Sequence, residues 1–164
     1  MKYLLDTNVF IEAKNRHYGF DFCPAFWSWL DEANADRRVH SIHKVKEEIL
    51  EREDELTDWA RPRGDGFFLP PDVATLVSLA TVSTWVTSAA YESGAVSTFL
   101  QAADYFLAAA ALANSLTVVT HEVRKNSVRI IKIPDACLAL EVQCISPFEM
   151  LRIERATFTL GATR

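Results

Sequence analysis

Short apolar stretches that end in a turn residue or a proline recur along this chain. Stretches of this kind predict strands, and their β-branched residues favour that interpretation. The strands predicted in this way cover residues 2–5, 38–41, 116–120, 129–133 and 142–145. The first strand stops at Asp6, and the strand over 116–120 is followed by His121 and Glu122. Acidic residues therefore follow two of the predicted strands.

Longer segments between these strands have apolar residues at helical spacing. Pro24 is well placed to open a helix that runs to about Ala33. The other predicted helices follow Asp6, cover residues 44–60, 73–91 and 99–114, begin at Asp135, and cover residues 148–155. Residues 61–71, with their prolines and glycines, predict a loop. Strands separated by helices pair in parallel and are covered on both faces, so the predicted class is α/β with a central parallel sheet.

Length and composition fit one folded domain. The chain has 164 residues, of which 49% are hydrophobic and 24% charged, and we expect one domain over residues 1–155 with a tail over 156–164. Residues 73–91 lack charge but are rich in hydroxyl side chains, so no membrane span and no membrane partner is expected. The start of the chain has a charge at Asp6 and no long apolar run, which predicts no secretory signal and a cytoplasmic protein.

Acidic residues occupy positions where a sheet of this class would bind a ligand. Parallel α/β sheets bind ligands at the carboxyl ends of their strands, and Asp6 and Glu122 follow such ends. Asp104 shares helical spacing with apolar residues such as Leu107, and a desolvated, unpaired carboxylate there would cost several kcal/mol. Ordinary alternatives remain: Asp6 could cap a helix, Glu122 could be solvated, and Asp104 could pair with an arginine or lysine.

A fourth acid comes from the helix after the second strand. Glu47 and Glu48 both lie in its first turns, and Glu48 is preferred because it is closer to the buried stripe of Val45 and Ile49. Carboxylate oxygens without histidine or cysteine ligand spacing favour Mg²⁺ or Mn²⁺ over zinc. The net charge of −5 would be −1 without Asp6, Glu48, Asp104 and Glu122, so an acidic chain does not exclude a nucleic acid as partner.

The surroundings of these acids resemble the PIN domain family, the small Mg²⁺-dependent ribonuclease fold that includes the VapC-type toxins of toxin–antitoxin pairs. Four stretches match in order: Leu4–Ile11, Ser41–Ile49, Ala103–Ala110 and Val118–Glu122. The resemblance covers residues 1–151, and the stretches Tyr18–Pro24 and Lys132–Cys137 look like a branch somewhat apart from the commonest toxins. Glu122 stands where aspartate is more typical of the family.

The resemblance implies a PIN-like three-layer sandwich and hydrolysis of RNA by an activated water, with one or two Mg²⁺ or Mn²⁺ ions as cofactor. Asp6 and Asp104 would be direct metal ligands. Glu48 would ligate the metal or orient the water. Glu122 would complete the shell of a second ion, and Asp135 is its substitute if Glu122 points away.

Supporting residues and partners follow from the same resemblance. Thr7, Asn8 and Thr120 would orient the ligands. The cations available to steer RNA are Lys14, Arg16, Lys44, Lys46, Arg124, Lys125, Arg129 and Lys132. A toxin would require an antitoxin protein, whose docking site Trp27 or Trp59 would mark if exposed, and a homodimer is a further expected assembly.

Two other classes of protein remain open. A HAD-like phosphohydrolase also has an aspartate after its first strand, but it requires a second aspartate where this chain has Asn8. A non-catalytic PIN-like module would bind RNA or a protein without cleaving it, and the presence of all four acids argues against that. An assay on total RNA with and without Mn²⁺ would separate the nuclease from the binding module.

Overall fold

Five parallel strands form a single sheet in the computed structural model, which describes residues 2–159. Their order across the sheet is β3-β2-β1-β4-β5. The strands are β1 (Tyr3–Leu5), β2 (Val39–Ile42), β3 (Phe68–Leu69), β4 (Thr117–Val119) and β5 (Cys144–Ile145). β1, β2 and β4 are buried along their whole length, as expected for parallel strands with helices on both faces. The predicted α/β three-layer sandwich is therefore confirmed.

The connections between the strands are mostly helical. Within residues 2–159 the helices are α1 (Thr7–Glu12), α2 (Pro24–Ala35), α3 (His43–Leu50), α4 (Glu55–Ala60), α5 (Val73–Ser88), α6 (Ser93–Gln101), α7 (Ala103–Asn114), α8 (Ile133–Ala139) and α9 (Pro147–Ile153). Residues 13–17 continue α1 as a π-helical turn. No single helix in this part of the chain is both long and apolar enough to cross a membrane; α6 and α7 reach that threshold only as a pair bent by 70°.

The register of the sheet determines which residues meet at its carboxyl edge. Leu5 of β1 pairs with Val119 of β4, so Asp6 and Thr120 follow adjacent strand ends. β2 pairs with β1 on the other side and leads directly into α3. The first residues of α1 and α3 and the segment after β4 therefore begin at the same edge.

One predicted strand is wrong, and one strand was missed. Residues 129–132 form no strand, and Ile133 instead begins α8. The strand that was missed is β3. It lies inside the predicted loop over residues 61–71, where Phe68 pairs with Ser41 of β2. Ile131 has strand propensity, but it is buried in a helical cluster instead of a sheet, which shows tertiary packing overriding local preference.

Two predicted helices are broken. The helix predicted over 44–60 divides into α3 and α4 because Asp54 is extended and its carboxylate accepts hydrogen bonds from the N–H groups of Leu56 and Thr57. The helix predicted over 99–114 is interrupted at Ala102, whose backbone is also extended. Ser93, which lies between the helices predicted over 73–91 and 99–114, begins α6.

Aromatic residues fill much of the core. Trp27 is 4% exposed and Trp59 9% exposed, so the hypothesis that either marks a docking surface is wrong. Both belong to a cluster of rings that includes Phe10, which explains why two tryptophans outside the sheet are buried. From the predicted tail, Ala156 and Phe158 pack against this core, and residues 160–164 lie outside the described part.

Asp54→Ala should lower the free energy of unfolding by about 1 kcal/mol, because α4 loses its N-terminal cap. The same change removes the ion pair with Lys14, whose ammonium lies 2.6 Å from the carboxylate. Urea unfolding would measure the loss. Asp54→Asn keeps an acceptor for the cap and should lose less; an equal loss would assign the effect to the ion pair.

Candidate functional site

Asp6 lies at the end of the central strand and is 3% exposed. Its carboxylate accepts hydrogen bonds from the Thr7 N–H at 2.7 Å, from the Thr120 hydroxyl at 2.8 Å and from the Asn8 amide at 2.5 Å. Burial raises the pKa of Asp6 from 3.8 to about 6, although the hydrogen bonds from Thr120 and Thr7 lower it. The carboxylate is thus oriented by short local contacts and by the strand on which Thr120 lies.

Asn8 and Thr120 connect the two strand ends. The Asn8 amide donates to the Thr120 hydroxyl at 2.9 Å, and its carbonyl oxygen accepts from the His121 N–H at 2.9 Å. The Thr120 oxygen also accepts from the Glu122 N–H at 3.0 Å. These contacts join α1 to the segment after β4 and hold that segment in a defined position.

Glu48 comes from α3 and bridges two other helices. One carboxylate oxygen accepts from the Thr7 hydroxyl at 2.5 Å, and the other accepts from the Ala103 N–H at 3.1 Å. That N–H belongs to the first turn of α7, where free donors and the helix dipole favour a negative charge. Glu47 is exposed and pairs with Lys44, so the preference for Glu48 at this edge agrees with the geometry.

Asp104 lies in the first turn of α7 and is partly buried. Burial, and after it the neighbouring carboxylates with Asp6 the strongest, raise its pKa from 3.8 to about 8, while Lys132 lowers it. Among the described ion pairs Asp104 has no arginine or lysine partner, because Lys132 pairs with Glu122 instead. A buried salt bridge does not explain this acid.

Glu122 is held by the segment that leads into α8. Its carboxylate accepts from the Lys132 ammonium and from the Ile133 N–H, the latter at 3.1 Å. The hydrogen bond with Glu122 raises the pKa of Lys132. Asp135, the proposed substitute, accepts from the Lys132 N–H at 3.3 Å and from Arg124 at 3.3 Å, away from the other acids. Asp135 therefore orders the loop, and of the two, Glu122 is the one that lines a cleft with the other acids.

The four acids border one cleft of about 530 Å³, hereafter the acidic cleft. Its lining comprises Asp6, Thr7, Asn8, Ile11, Glu48, Glu51, Arg52, Asp104 and Glu122. Glu51 and Arg52 were missed by sequence reasoning. They stand three and four residues after Glu48, just past the end of α3 at Leu50, and that spacing is the signal that would have found them.

The oxygen atoms that line the acidic cleft could serve as ligands of a hard divalent cation, since they belong to carboxylates and a hydroxyl group. Within residues 2–159, no three acidic, histidine or cysteine side chains already converge at ligand distances. Hydrogen bonds hold Glu48 toward α7 and Glu122 toward Lys132. Any rotation that brought these carboxylates closer would increase their repulsion, which a bound cation or a proton would offset.

Of the eight cations predicted to steer RNA, Lys132 is the one that ion-pairs with an acid of the cleft. Others pair elsewhere: Lys14 with Asp54, Arg16 with Glu12, Lys44 with Glu47, Arg124 with Asp135 and Arg129 with Glu92. Lys46 donates to backbone carbonyls, and Lys125 is exposed. Positive charge at the acidic cleft therefore comes chiefly from Lys132 and Arg52.

A family model described as a domain of unknown function, DUF4411, matches residues 3–158. No curated protein and no solved structure is similar enough to the chain to be matched.

The metal-free protein should lose stability as the pH rises from about 5 to 8. The pKa values of Asp6 and Asp104 are raised to about 6 and about 8, so the folded state binds protons that the unfolded state has released above about 4. Melting temperatures in chelator across this range would measure the slope.

Asp104→Asn should flatten that slope and melt above wild type at pH 8 in chelator. The exposed Asp58, changed to asparagine, provides a matched control that should keep the wild-type slope. A variant at position 104 that melts well below wild type would mean that its carboxylate stabilises the fold through a partner.

Proposed function

The chain belongs to the DUF4411 family, and we propose that it is a Mg²⁺- or Mn²⁺-dependent ribonuclease of PIN-like type. The observation that carries the proposal is the convergence of Asp6, Glu48 and Asp104 on one cleft. These acids come from three separate segments, and two of them have raised pKa values. Structural ion pairs do not account for Asp104, and clustered carboxylates of this kind are typical of divalent-metal sites.

A divalent cation, when bound, lowers the pKa of water and stabilises negative charge on phosphoryl oxygens. Asp6 and Asp104 would hold the cation, with Glu48 ligating or orienting the water after release from the α7 N-terminus. Asn8 and Thr120 keep the Asp6 carboxylate in one orientation through their hydrogen bonds. These residues thus preorganise a position at which a phosphodiester is cut.

Lys132 and Glu122 have a different role in this proposal. Both carboxylate oxygens of Glu122 are occupied, by the Lys132 ammonium and the Ile133 N–H. In this arrangement Glu122 positions Lys132, and the Lys132 ammonium would donate a hydrogen bond to a phosphate oxygen of the RNA. Glu122 would enter the shell of a second ion only by exchanging that lysine for the metal.

Asn8 argues against the phosphohydrolase alternative. Its amide donates to the Asp6 carboxylate and its carbonyl accepts from the His121 N–H, so Asn8 holds Asp6 in place. A HAD-like phosphohydrolase would need an aspartate at this position to protonate the leaving group. The binding-module alternative is decided by whether wild type cleaves RNA.

A toxin role, with an antitoxin partner and action on cytoplasmic RNA, is the further part of this proposal. Its support is the resemblance alone, because Trp27 and Trp59 are buried and offer no docking surface. Expression of wild type should arrest growth, and the product of a neighbouring gene should relieve the arrest. Growth unaffected by active enzyme would contradict the toxin role and leave the nuclease proposal standing.

Asp104→Asn should abolish Mn²⁺-dependent cleavage of total RNA with little loss of folding, since it removes a ligand charge and keeps the side-chain shape. Asp58→Asn is the exposed control and should cleave as wild type does. Cleavage by purified proteins with Mn²⁺ and with chelator would be compared. An active Asp104→Asn enzyme would contradict the assignment.

Glu48→Gln should lower cleavage far more than Glu47→Gln. Only Glu48 faces the acidic cleft, whereas Glu47 is exposed beside Lys44. The ratio of kcat/KM for the two variants measures the difference. Equal, mild losses would mean that both are surface acids.

Mn²⁺ should stabilise the folded protein by about 2.7 kcal/mol at a hundredfold excess over its dissociation constant. The shift should vanish in Asp104→Asn and persist in Asp58→Asn. Thermal melts with and without Mn²⁺ measure it. A wild-type melting temperature that ignores Mn²⁺ would argue against a metal site.

A further inference from the structure

A second cavity, of about 790 Å³, uses the same two helices as the acidic cleft. Its walls come from α3, from α7 and from the segment between β3 and α5, and its apolar lining includes Ile42, Leu69, Phe106, Ala110 and Leu116. We call it the α3–α7 groove. Cavities of this size with apolar walls and a few polar groups are the usual form of a binding site.

The charges of the groove suit an anion. Lys2, Arg37 and Lys44 line it, and within residues 2–159 Lys2 and Arg37 belong to no ion pair. Its two acids are engaged: Glu47 pairs with Lys44, and Asp72 accepts the Thr75 N–H at 2.7 Å as the cap of α5. With three cations against two acids, the groove has a net positive formal charge on a chain of net charge −5.

Phe106 adds an aromatic surface. It is partly buried against the core, and the Lys44 ammonium lies 5.5 Å from its ring centroid. An aromatic ring beside a cation is the arrangement with which proteins bind single-stranded nucleic acid, since the ring stacks on a base and the cation contacts a phosphate.

The groove lies beside the acidic cleft on α3. Lys44 lines the groove and Glu48 the cleft, and the two are four residues apart on one face of the helix, about 6 Å along its axis. On α7, Phe106 lines the groove and Asp104 the cleft from different sides of the helix, and Phe106 is linked to α3 by the Lys44 ammonium over its ring. A strand whose phosphate lies among the acids would therefore reach Lys44 and Phe106 with its next nucleotide.

We propose that the α3–α7 groove binds an unpaired nucleotide of single-stranded RNA next to the cleavage position, with Phe106 stacking on the base and Lys44 on the phosphate. Lys2 and Arg37 contact phosphates further along the strand. This inference rests on the proposed ribonuclease function for its cleavage position, but binding in the groove is measurable without cleavage. Duplex RNA has no unstacked base to offer and binds more weakly.

Binding of a short fluorescent single-stranded RNA in chelator isolates the groove from catalysis. Phe106→Ala should weaken binding by about 5- to 150-fold, the range for loss of one base–aromatic stack. Phe106→Leu keeps apolar bulk and should weaken it as well, whereas Phe106→Tyr should bind as wild type does. The exposed Phe22, changed to alanine, is the control for aromatic loss elsewhere. Wild-type affinity in Phe106→Leu would overturn the proposal.

The salt dependence tests the phosphate contact. Lys44→Gln should reduce the slope of log affinity against log salt concentration by about 0.7, the value for one phosphate on a single strand. Arg61→Gln removes a comparable exposed cation, paired with Asp58, and should keep the wild-type slope. An unchanged slope in Lys44→Gln would overturn the phosphate contact.

A cleavage assay in Mn²⁺ separates the two proposals. Phe106-dependent binding in chelator without any cleavage by wild type would contradict the ribonuclease and support the groove. Cleavage by wild type with unchanged KM and base preference in Phe106→Ala would contradict the groove and leave the ribonuclease. Binding of an acidic amphipathic peptide, with no RNA bound, would overturn the groove as an RNA subsite.

Discussion

The burial of Asp6 at the end of the central strand is the constraint on which the site depends. A buried carboxylate requires donors, and here they are the Thr7 N–H, the Asn8 amide and the Thr120 hydroxyl. Thr120 reaches Asp6 because β1 and β4 are parallel neighbours in a register that aligns their ends. The same network positions the segment that carries Glu122, so satisfying one charge organises much of this edge.

The other acids extend this arrangement at a cost in stability. Asp104 is partly desolvated near like charges, and the nearby Lys132 ammonium is engaged by Glu122. Clusters of this kind persist in a folded protein when the rest of the structure determines their positions. Here α7 packs extensively on α5 and an N–H of its first turn donates to Glu48, which holds Asp104 where it is. The proposed function and the stability of the fold would thus oppose each other at these residues.

Helices α3 and α7 serve two surfaces of opposite charge. Toward the strand ends they contribute Glu48 and Asp104 to the acidic cleft, and along their length they contribute Lys44 and Phe106 to the α3–α7 groove. The proposed nuclease would need both surfaces, because acids that hold a metal would repel RNA and the cations beside them would attract it. Because the acidic cleft and the α3–α7 groove are lined by the same two helices, the distance between them is fixed by the packing of those helices.

The sequence by itself determined the α/β class, the strands before Asp6 and Glu122, and the choice of Glu48 over Glu47, because periodicity and the position of an acid after a strand are local properties. Only the tertiary structure decided that Phe68 joins the sheet whereas Ile131 does not, since strand pairing depends on which edge is free. Burial of Trp27 and Trp59, the pairing of Lys132 with Glu122 and the loop role of Asp135 likewise needed the fold. These contacts join residues far apart along the chain or across a loop, and local sequence patterns contain no information on such distances.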